Sequence, residues 1–342
     1  MGLADGDMRS MKALLSKAPG GPESLVIEDV ADPAPKAGEV VVRVAACGVN
    51  FPDSLIIEDK YQVRPPRPFS PGGEVAGVID AVGAEVVGLK AGQRVLASPG
   101  FGGMAEKVAV LQSRVTPIPD AMPFDEAAAL LFTYGTGYHA LKDRAHLRAG
   151  ESLLVLGAAG GVGSAAVEIG KAMGARVVAA ASTREKVDAA MSWGADSGLV
   201  YPAGPFDKEA LRKLSELFKS ACGENGVDVV YDSVGGDYSE AALRALAWGG
   251  RFLVIGFPAG IARIPLNLPL LRACDILGVY WGGFGARNPG ANAANNAELI
   301  ALYGAGKIRP RVSVRLPLAR AGEAIALLAE RGALGKVVVT IP

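Results

Sequence analysis

The feature of this chain that most constrains its fold is a glycine-rich turn between a short apolar strand and a helix. The strand predicted at 152–156 runs into Gly157-Ala-Ala-Gly-Gly-Val-Gly163, and small residues with a helical pattern follow. A second apolar strand is predicted at 177–181. A strand–turn–helix–strand unit of about 30 residues with this glycine spacing is typical of dinucleotide sites. The sequence therefore predicts a parallel sheet that binds a dinucleotide.

Each part of the turn has a physical role. Gly160 leaves room for a pyrophosphate to approach backbone N–H groups, and Gly163 lets the helix pack closely on the strand. The helix N-terminus adds partial positive charge. Ala158 stands at the first glycine position, so the pattern is A-x-G-x-x-G. The phosphate contacts expected here are Ala159, Gly160, Gly161 and Val162.

The two ends of the chain differ from its middle. The first part has short β-branched or alternating runs separated by glycine and proline, which predicts a β-rich domain. The middle alternates helical and apolar segments, which predicts a doubly wound parallel sheet. Strand patterns return at 312–316 and 335–341. We therefore predict one domain of residues 1–130 plus 286–342, with a second domain, 131–285, inserted into it. Further strands are predicted at 198–201, 227–232, 250–256 and 275–281, helices at 184–193, 206–222 and 238–247, and a loop or helix start at 291–296.

Composition excludes several classes of protein. The chain has 342 residues, enough for about two domains. Its 35 basic and 35 acidic residues give a net charge of +0, so no nucleic-acid partner is expected. No apolar run reaches the ~18 residues that span a bilayer, so no membrane insertion is expected. Three scattered cysteines form no disulfide framework, which favours a reduced, cytoplasmic protein.

The residues after the second strand bear on the choice of dinucleotide. An NAD site usually has an acid about 20 residues beyond the glycines, where it accepts a hydrogen bond from the ribose 2′-OH. Here Ser182 and Thr183 follow the strand, and Arg184 and Lys186 lie close behind. Hydroxyls and cations suit a 2′-phosphate, so we expect NADPH. Glu185 fits this interpretation if it faces solvent, and Lys186 has the alternative of being an ordinary solvated charge.

Six motifs point to one family. They are Cys47-Gly-Val-Asn50-Phe-Pro-Asp53, Pro71-Gly-Gly-Glu74-Val-Ala-Gly77, Thr133-Tyr-Gly-Thr136-Gly-Tyr138-His-Ala-Leu, the turn at 157–163, Asp232-Ser-Val-Gly-Gly236 and Gly335-Lys336-Val-Val. With them the chain, from Met11 to Pro342, resembles the medium-chain dehydrogenase/reductase superfamily, and within it the zinc-free quinone oxidoreductase (zeta-crystallin-like) branch. The resemblance implies an α/β fold, with a doubly wound parallel Rossmann sheet inserted into a GroES-like, β-rich catalytic domain. It also implies a homodimer joined through the cofactor-domain sheet.

The ligands of a catalytic zinc are missing from the motif positions. Zinc-dependent relatives place a histidine in Gly-His-Glu, where this chain reads Gly72-Gly73-Glu74. The four closely spaced cysteines of their structural zinc are also missing, and the two histidines, His139 and His146, share one predicted helix. We therefore expect no metal site. Cys47 is expected to be a buried small hydrophobe.

The resemblance also implies catalytic residues. Asn50 would lie beside the nicotinamide, where its amide bonds either the carboxamide or the carbonyl of the acceptor, although a turn role is its alternative. Tyr61 resembles the proton donor of 2-enoyl thioester reductases, and pocket lining explains it equally well. Ser233 and Leu55 depart from the family pattern, which puts a close copy of its quinone pocket in doubt.

The remaining expected contacts are to the cofactor. Gly256 and Phe257 follow a predicted strand at the edge where nicotinamide contacts belong, with an ordinary core position as the alternative for Phe257. The full set of expected cofactor contacts is Asn50, Thr136, Ala159, Gly160, Gly161, Val162, Ser182, Lys186, Tyr201, Gly256, Phe257 and Arg331.

Three functions fit these observations. Without a metal Lewis acid, alcohol oxidation lacks its usual stabilisation, and hydride donation to an electron-poor acceptor is the simpler chemistry. The first expectation is an NADPH-dependent quinone oxidoreductase. The second is a reductase of α,β-unsaturated carbonyls or enoyl thioesters. The third is a non-catalytic NADPH-binding protein.

Overall fold

The computed structural model describes residues 10–329 and 334–342 and divides the chain into two compact units. Unit 1 consists of Met1–Phe132 and Pro310–Pro342, and unit 2 is Thr133–Arg309. The middle of the chain is therefore inserted into the sequence of the β-rich unit. Arg331, an expected cofactor contact, lies outside the described residues.

Strands and helices have the following bounds. The strands are β1 (Ser10–Leu15), β2 (Val26–Ala31), β3 (Glu39–Val49), β4 (Glu74–Val82), β5 (Arg94–Ala97), β6 (Lys107–Leu111), β7 (Val115–Pro117), β8 (Ser152–Leu156), β9 (Arg176–Ala181), β10 (Ser197–Val200), β11 (Val227–Asp232), β12 (Leu246–Val254), β13 (Asp275–Gly278), β14 (Val312–Pro317) and β15 (Lys336–Thr340). The helices are α1 (Phe51–Ile57), α2 (Phe124–Ala127), α3 (Thr136–Tyr138), α4 (Gly161–Ala172), α5 (Arg184–Ser192), α6 (Lys208–Cys222), α7 (Asp237–Leu243), α8 (Asn267–Arg272), α9 (Trp281–Arg287), α10 (Pro289–Gly304) and α11 (Ala321–Ala329). Wider π-helical turns, Leu131–Gly135 and His139–Arg144, flank α3. Within the described ranges, none of these helices has the length and apolar character needed to cross a lipid bilayer.

Unit 1 is built on a seven-stranded sheet in which β3 is the central strand. The sheet order is β14-β15-β3-β4-β5-β7, and β6 also pairs with β3. β3 is buried along most of its length and pairs with β4, β6 and β15. Its register sets Val49 opposite Val337 of β15 and Gly48 opposite Glu74 of β4. The ends of these three strands therefore meet at one place, where Asn50 begins the turn into α1.

Unit 2 is a parallel six-stranded sheet with the order β10-β9-β8-β11-β12-β13. β8 is buried at every residue, as expected for a parallel strand covered on both faces. The strand order reverses direction between β8 and β11, and ligands of such sheets bind at the carboxyl ends of the strands beside this reversal. The predicted Rossmann fold is confirmed.

The helix α10 changes the expected course of the chain after residue 286. Asn295 donates a hydrogen bond to Asp143 Oδ2 (2.8 Å), and Asn292 Oδ1 accepts one from the Trp281 indole (3.0 Å). These partners belong to unit 2, so residues 286–309 pack with unit 2 rather than returning to the β-rich unit. The segment 291–296, expected to be a loop or helix start, lies inside α10.

Candidate functional site

The glycine-rich turn joins β8 to α4 as the sequence predicts. Gly157 has a φ of 68°, a conformation that favours glycine. A Cβ on Gly163 would lie 2.1 Å from the carbonyl oxygen of Gly157, so the helix approaches the strand more closely than any side chain allows. Gly160 is different, because its added Cβ would come no closer than 3.4 Å to that oxygen. Close packing therefore explains Gly163, whereas Gly160 keeps open space beside the turn.

The N-terminus of α4 has the features of an anion site made of backbone N–H groups. Gly160 is its N-cap and has no side chain to bind the first N–H groups, which lack intrahelical acceptors in any helix. Gly160 is exposed, and Gly161 and Val162 are half-buried, so this turn is open to a ligand, while Ala159 is buried. N–H groups and the helix dipole together favour a phosphate here. The residues of the turn therefore fit the pyrophosphate of a dinucleotide.

The loop after β11 is tied to this turn. The Asp232 carboxylate accepts hydrogen bonds from the N–H groups of Val234 and Gly235 (both 2.9 Å) and from the Ser239 hydroxyl (2.5 Å). Burial raises the pKa of Asp232. Ser233, the departure from the family pattern, donates from its hydroxyl to the carbonyl of Leu156 at 2.8 Å. The serine thus supplies a bond to the strand that leads into the glycine turn.

Gly256 and Phe257 follow β12 beside the same loop. The Gly256 N–H donates to the carbonyl of Asp232 (3.4 Å), which places both residues at the edge expected for nicotinamide contacts. Phe257 is 51% exposed and does not belong to the core, so the core alternative for this aromatic is wrong.

The segment after β9 carries the expected 2′-phosphate residues. Ser182 is exposed, and the Thr183 hydroxyl oxygen caps α5 by accepting the N–H of Lys186 at 3.3 Å. Arg184 is paired with Asp188 (3.0 Å). Across the described part of the chain, the Lys186 ammonium makes no ion pair, and Glu185 is exposed as expected.

Tyr201 and Thr136, two further expected cofactor contacts, are less exposed to solvent than Ser182. The backbone N–H of Tyr201 donates to the carbonyl of Ala181 (3.0 Å), which places it next to Ser182. Its ring is buried, with the Tyr238 ring centroid 4.9 Å away. Thr136 is half-buried in α3. Tyr201 is therefore held mainly by the core of unit 2.

Unit 1 contains a buried cluster of hydrogen-bonded polar side chains at Asn50. The Lys336 ammonium donates to Asn50 Oδ1 (2.7 Å), to the Val49 carbonyl (3.1 Å) and to Glu74 Oε2 (3.2 Å). The Asn50 side-chain amide donates to Glu74 Oε2 (3.1 Å) and to the Gly48 carbonyl (3.2 Å). All three side chains are buried. We call Asn50, Glu74 and Lys336 the amide cluster.

Asp53 secures the backbone of the same turn. Its carboxylate accepts the Asn50 N–H (2.7 Å) and the Gly72 N–H (3.1 Å), which joins the start of α1 to the segment before β4. Burial raises the pKa of Asp53 to about 6, although both N–H bonds and Lys336 act in the opposite direction. A carboxyl group that holds Asn50 in place therefore titrates near neutral pH.

Cys47 is buried, as predicted. Its side chain is 0% exposed, and burial, with the charges of Asp53 and Glu74, raises the pKa of the thiol well above its ordinary value. A Cβ on Gly72 would lie 2.6 Å from its Sγ, so backbone closes over the sulfur. Among the described residues, no group of three or more His, Cys, Asp or Glu side chains is arranged to hold a metal ion.

Tyr61 lies in the loop after α1. It is half-buried and packs against the hydrophobic core of unit 1. The helix α1 lies between the two expected catalytic residues in sequence, with Asn50 as its N-cap.

Sequence reasoning did not identify Lys336 and Glu74 as site residues, although both lie in quoted motifs. The sequence contains a signal for Lys336. It is the first residue of the run Lys-Val-Val-Val-Thr-Ile, in which the remaining residues except Thr340 are apolar. A lysine at the start of a buried strand needs a partner, and an acid in another buried strand is the simplest one.

Comparisons with known proteins agree with this architecture. Residues 36–120 match the alcohol dehydrogenase GroES-like domain, and residues 161–297 match the zinc-binding dehydrogenase family. Quinone oxidoreductase-like protein 2 of Bos taurus is 38% identical over 319 residues, covering 93% of this chain and 89% of that protein. The quinone oxidoreductase from Thermus thermophilus, also solved with NADPH, has a TM-score of 0.80 at 36% identity and covers 96% of this chain and 100% of that one. A probable oxidoreductase from Mycobacterium abscessus has a TM-score of 0.85 at 38% identity, covering 97% and 99%.

Proposed function

Because the chain belongs to the zinc-free quinone oxidoreductase branch of the medium-chain dehydrogenase/reductase superfamily, we propose that it is an NADPH-dependent quinone oxidoreductase that works without a metal. The observation that carries this proposal lies around Asn50. The buried amide cluster stands there, Gly73 replaces a ligand histidine, and the Cys47 thiol is closed under Gly72. Such a site suits an acceptor that is already electron-poor. Bound NADPH would supply the hydride.

The residues of the chain bind and orient the reactants. We propose that N–H groups at Gly160, Gly161 and Val162 hold the pyrophosphate. The 2′-phosphate is bound by the Ser182 hydroxyl and the Lys186 ammonium, whose charge has no other partner among the described side chains. Phe257 offers an exposed ring for the nicotinamide end. The remaining expected contacts, Thr136, Tyr201, Gly256 and Arg331, stay predictions.

A steady-state screen tests this function. We expect turnover of 1,4-benzoquinone and 9,10-phenanthrenequinone with NADPH, a higher kcat/KM for NADPH than for NADH, and an unchanged rate after dialysis against a chelator. NADPH binding without turnover of any quinone, enone or enoyl-CoA would instead support a non-catalytic NADPH-binding protein. A rate restored only by added zinc would contradict metal independence.

Tyr61 favours a second candidate, reduction of α,β-unsaturated carbonyls or enoyl thioesters. Its phenol follows the helix that starts at Asn50, and enoyl reduction needs a proton at Cα, which a phenol can donate. The variant Tyr61→Phe separates the two reactions. Enoyl reduction should lose about 10²-fold or more in kcat, whereas quinone reduction, which takes protons from solvent, should barely change. Equal rates in both assays would show that Tyr61 is not the acid.

We also propose that the protein is a homodimer joined along the edge strand β13. Ile276 on this strand is 40% exposed, and the neighbouring α8 leaves Leu270 and Leu271 exposed by 75% and 63%. An apolar edge strand with unpaired backbone groups is a ready surface for pairing with a second copy.

A further inference from the structure

The side-chain amide of Asn50 has little bonding capacity left. A primary amide has two N–H donors and one carbonyl oxygen with two lone pairs. Both donors are used, on the Gly48 carbonyl and on Glu74 Oε2. Lys336 occupies one lone pair of Oδ1. One lone pair of Oδ1 is therefore the single open position of this amide among the described contacts.

The partners fix which way the amide points. An ammonium can only donate and a carboxylate can only accept, so Oδ1 must face Lys336 and Nδ2 must face Glu74. Lys336 in turn uses all three of its N–H groups, on Val49, Asn50 and Glu74. The other oxygen of Glu74 accepts the N–H of Phe132 at 3.0 Å. In a flipped amide, the Asn50 N–H groups would face the donor Lys336, and the Asn50 oxygen would face the acceptor Glu74.

Burying this ion pair costs desolvation free energy, because two charges leave water. The side chains of Lys336 and Glu74 are 5% and 0% exposed, and their nitrogen and oxygen are 3.2 Å apart. Replacing a buried ion pair by apolar residues is often neutral or stabilising, so stability alone explains such a pair poorly. Orientation of a third group is a better explanation, because both charges touch the Asn50 amide.

We infer that Lys336 and Glu74 are positioning residues that lock Asn50 as a hydrogen-bond acceptor, whose open Oδ1 lone pair binds the carboxamide N–H of the nicotinamide. This rests on the proposed use of NADPH. It selects one of the two roles expected for Asn50, because an amide with no free N–H cannot donate to the carbonyl of a quinone. The acceptor carbonyl therefore takes no hydrogen bond from Asn50.

A cofactor analogue tests the lock by binding alone. Reduced 3-acetylpyridine adenine dinucleotide phosphate has a methyl ketone in place of the carboxamide and so lacks the N–H group. We expect the wild-type protein to bind NADPH about three- to tenfold more tightly than the analogue, measured by isothermal titration calorimetry, because one hydrogen bond is lost. In Asn50→Ala the ratio of the two dissociation constants should fall to within twofold of one.

The double variant Lys336→Met with Glu74→Gln removes both charges together, so that neither is left buried without the other. It should lose the discrimination as Asn50→Ala does. Glu74→Gln alone, which keeps the side-chain shape, should reduce the ratio at least partly and serves if the double variant does not fold. Lys107→Met is the matched control, since it removes a lysine of the same sheet and its ion pairs to Asp32 and Asp80, and it should keep the wild-type ratio.

Two results would overturn the inference: a wild-type ratio near one, or a folded double variant that discriminates like wild type. These results are separate from failure of the proposed activity. The expected ratio without quinone turnover would contradict the proposed activity but support the positioning of Asn50. Full turnover with a ratio of one would support the activity but contradict the positioning.

Discussion

Gly160 and Gly163 stand three residues apart in one turn, yet they are glycines for different reasons. Gly163 lies against backbone, with its absent Cβ 2.1 Å from the oxygen and 2.8 Å from the carbonyl carbon of Gly157. Backbone cannot move aside as a flexible side chain can. Gly160 has ordinary extended backbone angles, φ −77° and ψ 169°, and open space beside it. Close packing therefore requires a glycine at 163, whereas Gly160 leaves the space in which we propose that the phosphate binds.

This difference predicts opposite behaviour for two alanine variants. Gly163→Ala should destabilise the protein by about 3 kcal/mol, because the added methyl group overpacks a rigid contact. Gly160→Ala should change the free energy of unfolding by no more than about 1 kcal/mol and weaken NADPH binding at least about tenfold, because the methyl group stands between phosphate and backbone N–H groups. Urea unfolding and calorimetric titration measure both. A Gly160→Ala protein with wild-type affinity would contradict the phosphate assignment.

Asp53 makes stability depend on pH. Its pKa is raised from 3.8 to about 6 in the folded protein, so the folded state binds this proton more tightly than the unfolded chain. The stabilisation from protonated Asp53 is therefore full below pH 3.8 and is lost as pH rises through 6. Asp53→Asn removes this titration. The free energy of unfolding of wild type, relative to Asp53→Asn, should fall by roughly 2 kcal/mol between about pH 4.5 and 7.5. Parallel pH profiles in urea unfolding would show that Asp53 does not titrate in this range.

We propose that the junction of β9 and α5 is the element that distinguishes NADPH from NADH. Ser182→Asp places an acid at the end of β9, where it would accept from a 2′-OH and repel a 2′-phosphate. We expect the ratio of kcat/KM for NADPH to that for NADH to fall at least about tenfold, which corresponds to about 1.4 kcal/mol. Glu185→Gln is the matched control, because Glu185 is exposed and its variant should leave the ratio within twofold. An unchanged ratio in Ser182→Asp would contradict the placement of the 2′-phosphate.

Elements with a strong internal pattern are the ones that sequence reasoning located. The strand, turn and helix at 152–172 are specified by apolar and glycine spacing, which acts locally. For α10 the sequence predicts only a loop or helix start at 291–296, because the first half of the helix, Pro-Gly-Ala-Asn-Ala-Ala-Asn-Asn, has the composition of a loop. Two of its asparagines are held by partners outside the helix: Asn295 by Asp143, 152 residues away, and Asn292 by Trp281, 11 residues away. Local propensity cannot register such contacts.

One part of the candidate site can be predicted from local sequence, and another part cannot. The phosphate turn follows from spacing alone. The amide cluster does not, because it depends on strand register: β15 must pair with β3, and β3 with β4, before Lys336 and Glu74 reach Asn50. A one-residue slip in either pairing would move every side chain to the other face. Sequence motifs therefore contained the residues without showing that they touch.

At the scale of the whole molecule, several large apolar side chains on and around β12, β13 and α8 of unit 2 are exposed. Trp248 on β12 is 77% exposed, and Leu266 before α8 is 80% exposed. Leu270, Leu271 and Ile276 are exposed as well, and we propose that these side chains belong to the dimer surface.

The proposed dimer predicts a change in mass on a single substitution. Wild type should sediment as a dimer, and Ile276→Arg should sediment as a monomer at micromolar concentration, because like charges would meet across the two copies of the strand. Val87→Arg is the control, since Val87 is an apolar residue of a unit 1 loop that is 82% exposed. Its variant should remain dimeric. A dimeric Ile276→Arg protein would place the interface elsewhere.

The discontinuity of unit 1 has a consequence for biosynthesis. Lys336 follows Glu74 by 262 residues, and ribosomes add about 5–20 residues per second, so the ammonium reaches its carboxylate after a delay on the order of tens of seconds. Unit 2 is one uninterrupted stretch and is translated in full before β14 and β15. A nascent chain can therefore complete its nucleotide fold first, while Asn50 waits for the strand that brings Lys336. Premature termination in that interval yields a protein able to fold unit 2 but with Asn50 unlocked.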